Sequence, residues 1–114
     1  MLIFKVFRGP EWAELVENGR TRGAPVDVAD GFVHFSTAKQ LPGTLGRHFA
    51  GETGLVLVAM KVAGTAPWLK WEASRGGALF PHLYRDIEIG DVLWSRPLAD
   101  DPAERDLPAE PTCA

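Results

Sequence analysis

Hydrophobic positions come in short runs whose spacing changes along the chain, and each change marks an element. Leu2 to Phe7 is rich in β-branched and aromatic residues and stops at Gly9-Pro10, so it reads as a first strand. Pro10 suits the first turn of a helix, where its missing N–H costs nothing. Trp12, Leu15 and Val16 then fall at i, i+3 and i+4, an apolar stripe with Glu11, Glu14 and Glu17 turned to water. Asn18-Gly19 closes that helix, Gly19 being suited to the left-handed position past its end. From Arg20 to Asp30 neither period holds, which predicts a loop.

The alternation returns in Gly31-Phe32-Val33-His34-Phe35-Ser36, a short strand with Val33 and Phe35 on one face and Phe32, His34 and Ser36 on the other. Thr37-Ala38-Lys39-Gln40 has capping-box spacing, and Leu41, Leu45 and Phe49 share a face, so a helix is expected over most of 38–49, ended by Gly51. Pro42 conflicts with one continuous helix; either the first turn is separate or the helix starts at Pro42. Leu55 to Met60 is apolar throughout, as a central strand covered on both sides would be. Trp68 to Glu72 reads as a strand, Ser74-Arg75-Gly76-Gly77 as its turn, and Leu79 to Arg85 as an extended return in which Pro81 argues for an edge or a bulge. Val92 to Pro97 is the expected last strand. The sum is an α+β domain over 1–98, two helices on a small, mostly antiparallel sheet, followed by a disordered Pro- and acid-rich tail over 99–114.

Composition narrows the function classes without naming one. The chain is 114 residues long with 46% hydrophobic and 24% charged residues, an ordinary globular balance for one domain. A net charge of -3 supplies no electrostatic footprint for duplex DNA or an anionic membrane. The longest apolar run, Leu55 to Met60, is too short to span a bilayer. A single cysteine, Cys113, allows no internal disulfide, and a cytoplasmic location is the expectation.

Chemistry concentrates in two places. Trp71 to Tyr84 threads a carboxylate (Glu72), a guanidinium (Arg75), an imidazole (His82) and a phenol (Tyr84) between aromatic residues and Gly76-Gly77. Buried polar groups need partners, so such a density points either to a polar hairpin or to a cleft. The second place is His34 with Ser36; with Val33 and Phe35 facing the core, both would face that cleft, the alternative being a core histidine held by the backbone. Metal-assisted hydrolysis through His34, His82 and Glu72 matches no familiar zinc spacing, and no metal is expected. No nucleophile elbow is present.

Gly31-Phe32-Val33-His34-Phe35-Ser36-Thr37, and the stretch from Leu69 through Trp71-Glu72-Ala73-Ser74-Arg75-Gly76-Gly77 to Phe80-Pro81-His82-Leu83-Tyr84, resemble the domain of unknown function 952 family, small bacterial and plant proteins. The resemblance runs to about Leu98 and carries no established activity. That family is similar in fold to ADP-ribosyltransferases, including the NAD-using RNA 2′-phosphotransferases. In those enzymes a His-x-His-apolar-Ser strand precedes a long apolar strand; here His34 and Ser36 match it, and Phe32 stands at the first histidine. Where the toxin-like enzymes carry His or Arg on the first strand, this chain has Lys5.

The resemblance implies two small splayed sheets around a nucleotide cleft, with NAD as substrate, a small-molecule nucleotide as ligand and RNA as a further candidate partner. On that reading Glu72, His34 and Arg75 are the catalytic candidates. Glu72 would stabilise an oxocarbenium-like centre as nicotinamide leaves, Arg75 would hold a phosphate, and His34 a ribose hydroxyl or phosphate. Ser36, Thr37, Gly76, Gly77 and His82 would bind the nucleotide, with Trp71 or Tyr84 stacking on a base. The alternative is a non-catalytic module binding a nucleotide or another anionic metabolite, in which Glu72 has no chemical duty.

Overall fold

All six residues of the first strand are buried, Lys5 included, because this strand is covered on both faces. The computed structural model describes residues 1–109, all but the side chain of Arg75. Their order is β1 (Leu2–Phe7), α1 (Gly9–Asn18), β2 (Arg20–Thr21), α2 (Pro25–Asp30), β3 (Val33–His34), α3 (Leu41–His48), β4 (Val56–Lys61), β5 (Leu69–Ala73), β6 (Leu79–Leu83), β7 (Ile87–Glu88) and β8 (Val92–Pro97). The strands form two three-stranded antiparallel sheets, β1-β4-β8 and β3-β6-β5, and a two-stranded β2-β7 ribbon. Phe4 and Ser36 join the larger sheets by a reciprocal pair of main-chain hydrogen bonds, both 2.8 Å.

Strand alternation divides the core in two. Leu2, Phe4 and Val6 pack with Leu57 and Ala59 under Leu41 and Leu45 of α3 and Phe49 just past its end. Ile3 and Phe7 turn to the other side, with Val58 and Met60, against Leu15 of α1 and Val33, Phe35 and Leu83 of the second sheet. A strand shared by two cores has no solvent face, which is why β4 is apolar nearly throughout.

Several expectations meet corrections. Arg20–Asp30 is not a loop: β2 and α2 lie within it, so the described residues hold three α-helices, not two. Pro25 at the start of α2, Asp27 accepting the Ala24 N–H at 2.7 Å, and Gly31 at φ 85 past its end together stop and start a helix too short to show a period. Val16, expected on the apolar stripe of α1, is exposed, and Leu15 alone of that helix is buried. Pro81 lies in β6, the central strand of its sheet, rather than at an edge. Its carbonyl accepts from Phe35 N at 3.0 Å, so its main chain faces β3, whose ladder stops at His34, and the missing N–H falls where pairing ends.

At Thr37 the capping pair forms, with Thr37 N donating to Gln40 Oε1 at 3.0 Å and Gln40 N to Thr37 Oγ1 at 3.3 Å. It closes a separate turn, and α3 begins at Leu41 with Pro42 in its first turn. Beyond Leu98 the chain continues against the body. A 3-10 turn spans Pro102–Glu104, Leu107 packs on the α3 core, and Arg105 Nε donates to the Ala99 carbonyl at 2.8 Å. The rest of the expected tail, 110–114, including Cys113, lies outside the described residues.

Candidate functional site

The register β3-β6-β5 sorts side chains by face. His34 pairs with His82 and His82 with Lys70, while Glu72 pairs with Phe80, so these groups share one face with Phe32, Ser36 and Tyr84. Val33, Leu83 and Leu69 turn to the core on the other face. Trp71 belongs to that second face by alternation, and this removes it from the stacking role expected of it in the cleft.

At the centre of the site face lies Phe32. Its ring stacks on His82 at 4.2 Å between centroids and lies 4.7 Å from His34 and 5.2 Å from Tyr84. His34 meets His82 edge-on at 5.3 Å. Each histidine is held by a carboxylate. His82 Nδ1 donates to Glu72 Oε1 at 2.9 Å, and Tyr84 Oη donates to the same oxygen at 2.7 Å. His34 Nδ1 donates to Asp27 Oδ1 at 2.6 Å, its main-chain N donates there at 3.0 Å, and its Nε2 lies 3.0 Å from Asp30 Oδ2.

Asp27 is fully enclosed. It accepts from Ala24 N and His34 and pairs with Lys5 Nζ at 2.9 Å, and Lys5 Nζ also donates to the His34 carbonyl at 3.0 Å. Burial pushes the Asp27 carboxyl upward, but the hydrogen bond from His34 and the Lys5 charge prevail and hold it at about 2. Gly23, at φ +92, makes room for it: a Cβ there would lie 2.2 Å from Asp27 Oδ2. Hydrogen bonds from Tyr84 and His82 hold the Glu72 carboxyl below the usual glutamate range, and the same bond from Tyr84 raises the phenol above its ordinary value. Both acids are therefore anionic at neutral pH.

A cavity of about 610 Å³ opens where β1 and β3 part beyond the Phe4–Ser36 pair. Lys5, Asp27, Asp30, His34, Ser36 and His82 supply much of its polar wall, and Phe4, Val6, Phe35 and Phe80 its apolar wall. Its size is that of an ordinary small-molecule site. Ser36 Oγ meets Thr44 Oγ1 of α3 at 2.7 Å. Glu72 and Tyr84 adjoin the cavity through His82 and do not line it. Gly76 (φ 65) and Gly77 (φ 80) form the β5-β6 turn, beside Ser74 at the cavity rim, and the Arg75 side chain lies outside the described residues. Thr37 spends its hydroxyl on the turn before α3.

Sequence reasoning missed Asp27, Asp30 and the hub role of Phe32. The signal for the first was present, since Pro25, an acid two residues on and Gly31 are helix start and stop marks. Lys5 stood out only as a substitution on the first strand; the pairing that explains it spans 22 residues of sequence.

Residues 6–95 match the family model described as Protein of unknown function (DUF952). The chain belongs to the DUF952 family. The crystal structure of protein CC0527 from Caulobacter crescentus is similar to it, with 42% identity, a TM-score of 0.84 and 87% of each chain covered. The solution NMR structure of CC0527 is 43% identical with a TM-score of 0.76, covering 85% of this chain and 84% of that one. No curated protein matches. The match takes in β3 and the whole β5-β6 hairpin, so the histidine pair and Glu72 lie in the segment that defines DUF952.

Proposed function

We propose that the cleft binds a nucleotide and that the reaction it suits is ADP-ribosyl transfer from NAD, or a related phosphotransfer to or from RNA. The observation that carries this reading is the arrangement of Glu72, His82, Tyr84 and His34 on one sheet face beside a 610 Å³ cavity. Glu72 is held ionised by two donors to one oxygen, which suits stabilisation of a developing positive centre better than proton donation. Among the described residues both hydrogen bonds end on Oε1, so Oε2 is the oxygen that would accept a ribose hydroxyl. The aromatic cluster around Phe32 offers ring faces to a base or to nicotinamide. The similarity to ADP-ribosyltransferases read from His34 and Ser36 points the same way.

A second reading, a binding module without chemistry, draws on one observation: Glu72 stands beside the cavity and not in its wall. A melting-temperature screen against NAD, ADP-ribose, mononucleotides and 2′-phosphorylated RNA tests the nucleotide class, because a ligand of the native state raises the midpoint by mass action. No shift at millimolar ligand rejects it. Glu72→Gln then separates the two readings: loss of turnover with affinity retained supports transfer, and unchanged affinity with no turnover in either form supports the module.

A further inference from the structure

The two carboxylates on His34 differ in kind. Asp27 is a fixture, with a side-chain exposure of 0% and donors from Lys5, Ala24 and His34 around it. It fixes the ring with Nδ1 inward and Nε2 toward the cavity. Asp30 is 46% exposed, and among the described residues its one ion pair is with that Nε2. It is the last residue of α2, at the carbonyl end, where a negative charge gains nothing from the helix. Both Asp30 and His34 line the cavity. The outward nitrogen of a rigidly mounted imidazole is thus covered by a loosely held, water-facing carboxylate.

We propose that Asp30 is a built-in stand-in for an anionic ligand oxygen, and that a phosphoryl or carboxylate group entering the cavity displaces it from His34 Nε2. The exchange is one anion for another on the same donor, and no bond is made or broken. Lys5 and Arg8, also in the cavity wall, are already committed, Lys5 to Asp27 and Arg8 to Glu52 and Glu11, so His34 is the donor the exchange makes available. Glu11 and Asp27 remain as negative neighbours, and this makes Asp30 the acid whose departure matters most. For the nucleotide ligand proposed above, on which this part of the inference rests, the group in question is a phosphate.

The test is titration calorimetry of the full chain and of Asp30→Asn with inorganic pyrophosphate, with succinate and with ADP-ribose, at one pH and low salt. Removing the competitor should tighten pyrophosphate or succinate binding by about fivefold, the upper range for a partly exposed ion pair. Which of the two gains more identifies phosphoryl or carboxylate as the group. The Nε2 nitrogen resonance of His34 should move on adding the anion in both forms, a readout that needs no His34 variant. Unchanged or weakened binding of both anions by Asp30→Asn, or no binding of either, overturns the proposal. ADP-ribose binding without that gain sinks the stand-in and leaves the nucleotide reading intact. A gain for pyrophosphate or succinate with no ADP-ribose binding does the reverse.

Discussion

The same sheet carries two carboxylate–imidazole pairs built in opposite senses. In Asp27–His34 the acid is sealed and the histidine is one-third exposed; in Glu72–His82 the acid is 40% exposed and the histidine only 6%. The chemistry is alike and the burial is exchanged. In the first pair the carboxylate is structure, held by Lys5 and the main chain, and the imidazole is the accessible member. In the second the imidazole is structure, stacked under Phe32, and the carboxylate is the accessible member. Strands β3 and β5, on either side of β6, therefore present one imidazole and one carboxylate on the same sheet face, the first in the cavity wall and the second beside it.

The comparison breaks first at Asp27. Asp27→Asn leaves the Lys5 ammonium in the interior without a counter-charge and should cost about 3 kcal/mol in urea denaturation. A loss under about 1 kcal/mol would mean that water reaches Lys5 and the pairs differ less than their burial indicates. Next comes Gly23→Ala, which combines a left-handed backbone with a Cβ driven into Asp27; we expect about 2 kcal/mol and a shifted His34 nitrogen resonance. A silent His34 resonance would show that Asp27 does not set the ring.

The pH dependence sharpens the contrast. The folded Asp27 carboxyl lies at about 2, below its unfolded value near 3.8, so the stability it contributes is complete above pH 4 and is lost as pH falls toward 2. About 2 kcal/mol of acid sensitivity should disappear in Asp27→Asn. The smallest effect is spectroscopic: Glu72→Gln should bring the Tyr84 titration down toward that of an ordinary phenol, seen by ultraviolet absorbance, with the fold unchanged. A Tyr84 titration that stays where it was would mean the Glu72 bond is not what raises it.

Much of this was legible in the chain, for physical reasons that can be named. Strands that bury whole side chains announce themselves, as Leu55–Met60 did, and the period of two placed His34 opposite Val33 and Phe35. The turn at Gly76-Gly77 followed from backbone freedom alone. What did not show was whatever rests on pairing at a distance. α2 is six residues long and has no period to detect, Asp27 looks like any loop acid until Lys5 closes on it, and Pro81 sits in a central strand because its neighbour is only two residues long. The site's face was readable, but not its depth, because nothing local separates a sealed carboxylate from a wet one.

One rung of main chain joins the two larger sheets, between Phe4 and Ser36, and beyond it β1 and β3 diverge. The molecule is thereby seamed: peptide groups zip the strands within each sheet, while beyond the rung a side chain, Lys5 reaching the His34 carbonyl, bridges β1 and β3. The amide protons of Phe4 and Ser36 become natural strain gauges for that seam, and their exchange with deuterium should slow when a guest fills the opening and quicken when α2, which lines that opening, is loosened.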